Sequence, residues 1–168
     1  GINYGGGLIS FSQPKTEFAE NENGGTITLK RQLGLTTNAR CNLRIESNSA
    51  TKWIPGVNPY LIYDYVGFSS QPELDLLPIQ FDVGEVFKEI RIISISDVSE
   101  IDDLDNLTRT VDGGLPVIYV IDDMLADEQD EELTLVLQDF EHTDAGPQSV
   151  ATLTIQNNDS ALSFSRVH

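Results

Sequence analysis

The chain has 168 residues, 39% of them apolar, which suits one domain with a full core and leaves too little for two. Its 27 acidic residues against 10 basic give a formal charge of −17, so its surface repels nucleic acid and anionic membranes and attracts cations. No apolar run approaches the roughly 20 residues of a membrane helix, so no direct membrane insertion is expected; no signal peptide is visible before Gly5.

The dominant period along the chain is two. Ile9 and Phe11 alternate with Ser10 and Ser12, and Ile27 and Leu29 alternate with Thr26, Thr28 and Lys30. Cys41, Leu43 and Ile45 share one face of the next run. The single cysteine therefore reads as a small buried core residue, and no internal disulfide can form. Trp53 to Leu76 holds Pro55, Pro59 and Pro72 and reads as an inserted loop pinned by Trp53. In Lys88 to Ser96 the alternation slips by one between Ile92 and Ile93, which predicts a bulge. Asp97 to Gly114 reads as a second insertion. Met124 to Glu132 is the best helical candidate, but Asp and Glu crowd it and no apolar stripe runs along it. Leu133, Leu135 and Leu137 form another alternating run, as do Ala151, Leu153 and Ile155. Between them, His142 reads as an exposed hairpin tip. Gly and Asn clusters such as Asn23-Gly24-Gly25 and Ala145-Gly146-Pro147 separate the runs. About seven half-buried strands predict an all-β chain: an antiparallel, immunoglobulin-like β-sandwich with two long inserted loops.

A short repeat bears on domain organisation. Leu162-Ser163-Phe164-Ser165 echoes Ile9-Ser10-Phe11-Ser12, just after the last strand and the turn Asn157-Asn158-Asp159. Residues 1–160 read as one module, and 161–168 as the start of a following module or a linker.

The charge is unevenly placed: 16 of the 27 acids lie between Asp97 and Asp144, where Arg109 is the only basic residue. Three acidic segments flank strands: Glu20 to Gly25, Asp122 to Glu131, and Asn157 to Asp159. None contains Lys or Arg. In a sandwich, loops from distant strands meet at the two ends, and carboxylates at such density need a counter-ion. Hard oxygen ligands in flexible loops suit Ca²⁺. The spacing is not that of an EF-hand.

In this order the pieces resemble the Calx-β family, the calcium-binding modules of sodium–calcium exchangers that recur in integrin β4 and in large surface adhesion proteins. The resemblance runs from Ile9-Ser10-Phe11, through Phe18-Ala19-Glu20 with Gly24-Gly25-Thr26, Arg31-Gln32-Leu33-Gly34, Asp64-Tyr65 and Leu77 to Glu85. It continues into Asp122-Asp123 to Glu131 and ends at Ala151 to Asp159. It implies calcium ligands at Glu20 or Glu22, Asp122, Asp123, Glu128, Glu131 and Asp159, with Asn158 beside the last. Spacing to Gly25-Thr26 favours Glu22; spacing from Phe18 favours Glu20. Two departures weaken the implied site. The family's Asp-Gly-Thr-Ala is here Ser47-Asn48-Ser49-Ala50, and its closing acidic triplet is Asn157-Asn158-Asp159. Fewer ions, or more weakly held ones, are expected.

The function expected from this reading is a calcium-binding structural or adhesion module of an extracellular or cell-surface protein. Its partners would be neighbouring modules of the same chain and a cell-surface or matrix protein. The alternatives are a regulatory calcium sensor in a cytoplasmic domain of a membrane transporter, or a metal-free interaction domain. An enzyme is not expected: nucleophile patterns of the Ser/His/Asp or Cys/His kind are missing, and no acid is held apart from a partner as glycoside hydrolysis requires.

Overall fold

The structure is a computed structural model and describes residues 5–19, 25–54, 63–69, 71–95, 110–111, 115–122 and 129–156. Among these the strands, in chain order, are β1 (Leu8–Phe11), β2 (Lys15–Ala19), β3 (Gly25–Gln32), β4 (Ala39–Ser47), β5 (Lys52–Trp53), β6 (Tyr65–Val66) and β7 (Leu77–Phe81), then β8 (Phe87–Ile95), β9 (Thr110–Val111), β10 (Leu115–Ile121), β11 (Glu131–Glu141), β12 (Asp144–Ala145) and β13 (Val150–Gln156). One sheet has the order β12-β1-β3-β8-β10-β6-β5, with β9 on β10; the other has the order β2-β13-β11-β4-β7. One 3₁₀ turn, Pro72–Leu74, is the only helical element among the described residues.

Alternation does the sorting. Ile9, Phe11, Ile27, Leu29, Ile90 and Ile92 of the first sheet meet Cys41, Leu43, Ile79, Leu133, Leu135 and Leu153 of the second in one core. Cys41 is 1% exposed, as its place beside Leu43 predicts. Burial, with Asp139 adding to it, pushes its thiol up to about 12, so it stays protonated.

The slip in β8 is not a bulge. Arg91 to Ile95 pair without interruption with Val117 to Ile121. Its second half is instead covered on both faces, while Phe87 and Glu89 at its start stay exposed. Ile90 and Ile92 point into the main core, while Ile95 joins Trp53, Val66, Val117, Tyr119 and Ile121 in a second cluster, with Ile93 packed against it. Trp53 thus anchors an outer core on the back of the first sheet. Among the described residues the register shifts in β11 instead, between Gln138 and Glu141, where Asp139 takes a φ of 56°. His142, also at positive φ, sits at the exposed turn after it.

The sandwich is mostly antiparallel, but β8 and β10 run parallel. Parallel neighbours need a long crossover. The stretch read as a second insertion is therefore the connection from the end of β8 back to the start of β10. The pairs β1–β12, β2–β13 and β5–β6 are parallel as well.

Register defines two poles. Leu8 at the start of β1 lies opposite Gln32, and Phe87 lies opposite Lys30, so β1 and β8 begin at what we term the entry pole. There Arg31 is 1% exposed. Its guanidinium donates to the carbonyls of Glu85 (3.1 Å), Thr37 (2.7 Å) and Asp82 (2.7 Å), with a longer contact to that of Gly6 (3.5 Å). The Glu85 carboxylate holds the same turn: Oε1 accepts the Asp82 N–H and Oε2 accepts the Lys88 ammonium, each at 2.9 Å.

Partial burial works to raise the Glu85 pKa. The Asp82 N–H, Lys88 and Arg31 outweigh it and hold the pKa below the ordinary 4.5. A depressed acid stabilises the fold above its unfolded value, and that stability is lost as pH falls through the folded value. Acid unfolding followed by circular dichroism is expected to show stability falling below about pH 4.5. Glu85→Gln should flatten part of that fall; an unchanged profile would remove Glu85 from the explanation.

Candidate metal centre

The strand ends flanking the three acidic segments lie together at the opposite, exit pole. Ala19, the last residue of β2, pairs with Gln156, the last of β13. Glu131, the first residue of β11, pairs with Ile155. In the other sheet Gly25, the first residue of β3, pairs with Ile92, and Ile121 at the end of β10 pairs with Ile95. The segment 20–24 thus leaves and returns at this pole. The segment 122–130 does the same, and 157–159 leaves from it. Glycine is required at position 25: a Cβ there would lie 2.8 Å from the Phe18 ring, where β2 and β3 converge.

Of the eight expected ligands, two fall within the described residues. Asp122 is half-buried, and its N–H bonds the Ile95 carbonyl at 2.8 Å, tying the end of β10 to that of β8. Glu131 is half-buried at the mouth of β11. Glu20, Glu22, Asp123, Glu128, Asn158 and Asp159 lie outside the described residues, as do most of the helical candidate, Asp102, Asp103, Asp105 and the repeat Leu162 to Ser165. Among the described residues no group of three or more metal-ligating side chains comes together.

The end of β4 shows where the donor set is thin. Asn48 shares a side-chain hydrogen bond with the Thr134 hydroxyl (2.9 Å), and the Ser49 hydroxyl accepts the Glu132 N–H (2.9 Å). The main-chain N–H groups of Asn48 and Ala50 both reach the Glu132 carbonyl. These side chains fasten the β4 end to β11 and supply no carboxylate. The chemistry of the pole is otherwise right for a hard divalent cation, since the three segments offer carboxylates and amides and no cationic side chain.

One carboxylate at this pole has a role that sequence reading missed. Asp64 is 3% exposed, and its Oδ2 accepts both the N–H (2.7 Å) and the hydroxyl (2.9 Å) of Thr51. Its carbonyl accepts the Ile121 N–H at 2.9 Å. Oδ1 has no partner among the described residues. Asp64 thereby clamps the β5–β6 pair beside the end of β10. Next to it, the Tyr65 hydroxyl meets the Ser47 hydroxyl at 2.5 Å and joins the two sheets. Burial raises the Tyr65 pKa, so this link stays neutral. The Asp64-Tyr65 pair was the available signal, but its partner Thr51 lies 13 residues away.

Comparison with solved structures gives the same architecture. The chain superposes on the apo-form Calx CBD1 domain with a TM-score of 0.59 at 18% identity, covering 90% of this chain and 97% of that one. The fold is that of a Calx-β domain. The Calx CBD2 domain matches with a TM-score of 0.64 at 11% identity, over 99% of this chain and 97% of that one. The calcium binding domain CBD12 of CALX1.1 matches over 90% of this chain and 46% of its own, with a TM-score of 0.59 at 18% identity. No family model and no curated protein matches the sequence. Among the described residues of this Calx-β fold, no helix is long and apolar enough to cross a membrane.

Proposed function

We propose that this Calx-β-fold domain binds Ca²⁺ at its exit pole and acts as a calcium-responsive regulatory module of a larger protein. The observation that carries the reading is the meeting of strand ends: Ala19, Gly25, Ile121, Glu131 and Gln156 all lie at one pole, so all three acidic segments start or finish there. Asp122 and Glu131 are the ligands placed on described strand ends; Glu20 or Glu22, Asp123, Glu128, Asn158 and Asp159 complete the proposed set. Bound calcium supplies charge neutralisation that no side chain of the three segments can provide.

The regulatory setting, in a cytoplasmic domain of a membrane protein, draws support from the solved domains of this fold, which include the calcium binding domain CBD12 of CALX1.1. The second reading is a structural brace between extracellular or surface modules. It is favoured by the stretch Ser47 to Ala50, which carries no carboxylate and where Asn48 and Ser49 are spent on β11. Isothermal calorimetry separates the two. A dissociation constant of about 10⁻⁷–10⁻⁵ M supports the sensor, and one of about 10⁻⁴–10⁻³ M supports the brace. No calcium heat and no thermal shift would sink both.

A further inference from the structure

Asp64 holds a buried carboxylate with only one of its oxygens accounted for. β6 begins at Tyr65, which stands opposite Val120 in an antiparallel pair. Asp64, just before the start of its strand, is therefore level with Ile121 and one residue from Asp122. Its carbonyl faces β10 and takes the Ile121 N–H at 2.9 Å. Its Oδ2 faces β5 and takes the N–H and the hydroxyl of Thr51. Both lateral neighbours are thereby served by other atoms of the residue. Oδ1 is left over, in a residue 3% exposed, with no partner among the described residues. The end of β4 closes the same corner, since the Tyr65 hydroxyl reaches Ser47 across the two sheets.

A buried carboxylate oxygen without a donor is costly, and buried charges in proteins are paired or coordinate metals. The ordinary partners are spent elsewhere. Lys52, the residue after Thr51, is paired with Asp75. No ion pair among the described residues includes Asp64. A buried water typically bonds about three polar groups. The only other buried side-chain atom without a partner among the described residues is the Thr154 hydroxyl of β13, two strands from β4 in the second sheet. A hard cation asks for less: it takes single carboxylate oxygens at about 2.3–2.6 Å. The acidic segment that opens at Asp122 starts at this same corner.

We infer that Asp64 is itself a ligand of the calcium ion at the exit pole, giving it Oδ1 while Oδ2 stays on Thr51. This rests on the calcium reading proposed above and adds to it a ligand from outside the three acidic segments. One carboxylate then has two tasks. Oδ2 fixes β5 to β6 whether or not the ion is bound. Oδ1 ties the ion to that pair, so binding is felt at Thr51 as well as at Asp122. Because Oδ1 is already out of water, the ion gains a ligand that need not be desolvated or ordered at the moment of binding. In return it neutralises a buried charge that the calcium-free fold carries alone.

Asp64→Asn separates the two tasks. The amide oxygen can take the place of Oδ2 on Thr51, whose N–H and hydroxyl both donate, and the amide nitrogen then stands where Oδ1 stood. Calcium titrated calorimetrically into this variant should bind about tenfold more weakly than to the unmodified chain, and a loss of less than about threefold overturns the assignment. A charge acting from a distance also weakens binding, so a second readout uses the unmodified, ¹³C-labelled chain. There the side-chain carboxyl resonance of Asp64 should move as calcium saturates the site. An unmoved resonance at saturation overturns the assignment whatever the variant shows, and decides the matter if Asp64→Asn does not fold. No calcium heat from the unmodified chain removes both this ligand and the calcium reading beneath it. Normal heat that Asp122→Asn weakens and Asp64→Asn does not removes Asp64 from the ligand set and leaves the pole as the site.

Discussion

Replacing Arg31 by alanine is expected to lower the unfolding free energy by about 3–4 kcal/mol, a large effect for one side chain. The guanidinium is almost wholly buried and serves main-chain carbonyls from three separate segments: Glu85 and Asp82 of the β7–β8 turn, Thr37 of the β3–β4 connection, and more distantly Gly6. It also stands 5.6 Å from the centre of the Phe81 ring. Burial lowers its pKa, while Glu85 and Asp82 work to raise it, so the charge is compensated locally. Truncation leaves at least three carbonyls facing a hole. Lysine cannot restore them: one ammonium on a flexible stem does not reproduce the planar fork. Arg31→Lys should therefore recover less than half of the loss. Urea unfolding measures both, and an unchanged slope would show that native stability has moved and not the denatured state. A cost under about 1 kcal/mol for alanine would mean that the entry pole is held by other contacts.

Arg31 also marks the limit of what sequence pattern conveys. Its partners are main-chain atoms, which every residue has, so nothing in the sequence names them. Half-buried strands behave differently. Ile9 and Phe11, Ile27 and Leu29, and the leucines of β11 had to alternate, because each has one face on the core and one in water. Cys41 was legible for the same reason. β8 was legible as a strand, but the cause of its slip was not, because the second cluster depends on Trp53 and Val66, brought from far along the chain. A stretch of strand covered on both faces loses its period, and Ile92-Ile93 then imitates a bulge. The acidic pole was partly legible. Strand order in a sandwich decides which loops share an end, so Asp122 and Glu131 could be placed there without side-chain detail. The clamp by Asp64 could not, since Thr51 became its partner only through the pairing of β5 with β6.

Calcium should change the stability of this domain more than most substitutions do. At about one hundred times the dissociation constant, a single bound ion contributes about 2.7 kcal/mol. For a chain of this size that is about 5–10 °C in Tm. Asp122→Asn tests whether the gain arises at the exit pole. The substitution keeps the main-chain bond to Ile95 and nearly the same shape, so without calcium the Tm should move by no more than about 2 °C. It removes one formal charge from the proposed ligand set, and calcium affinity should fall about tenfold or more. Glu131→Gln should act in the same direction. Glu89→Gln removes one charge from the exposed face of β8, a strand that brings no carboxylate to the pole, and should leave affinity within about twofold. If all three variants weaken calcium equally, the ion is drawn by overall charge and not by a site. In that case the shift should also vanish in about 1 M salt, where the screening length is only about 3 Å. A coordinated ion should keep most of its effect there, because its ligands touch it directly.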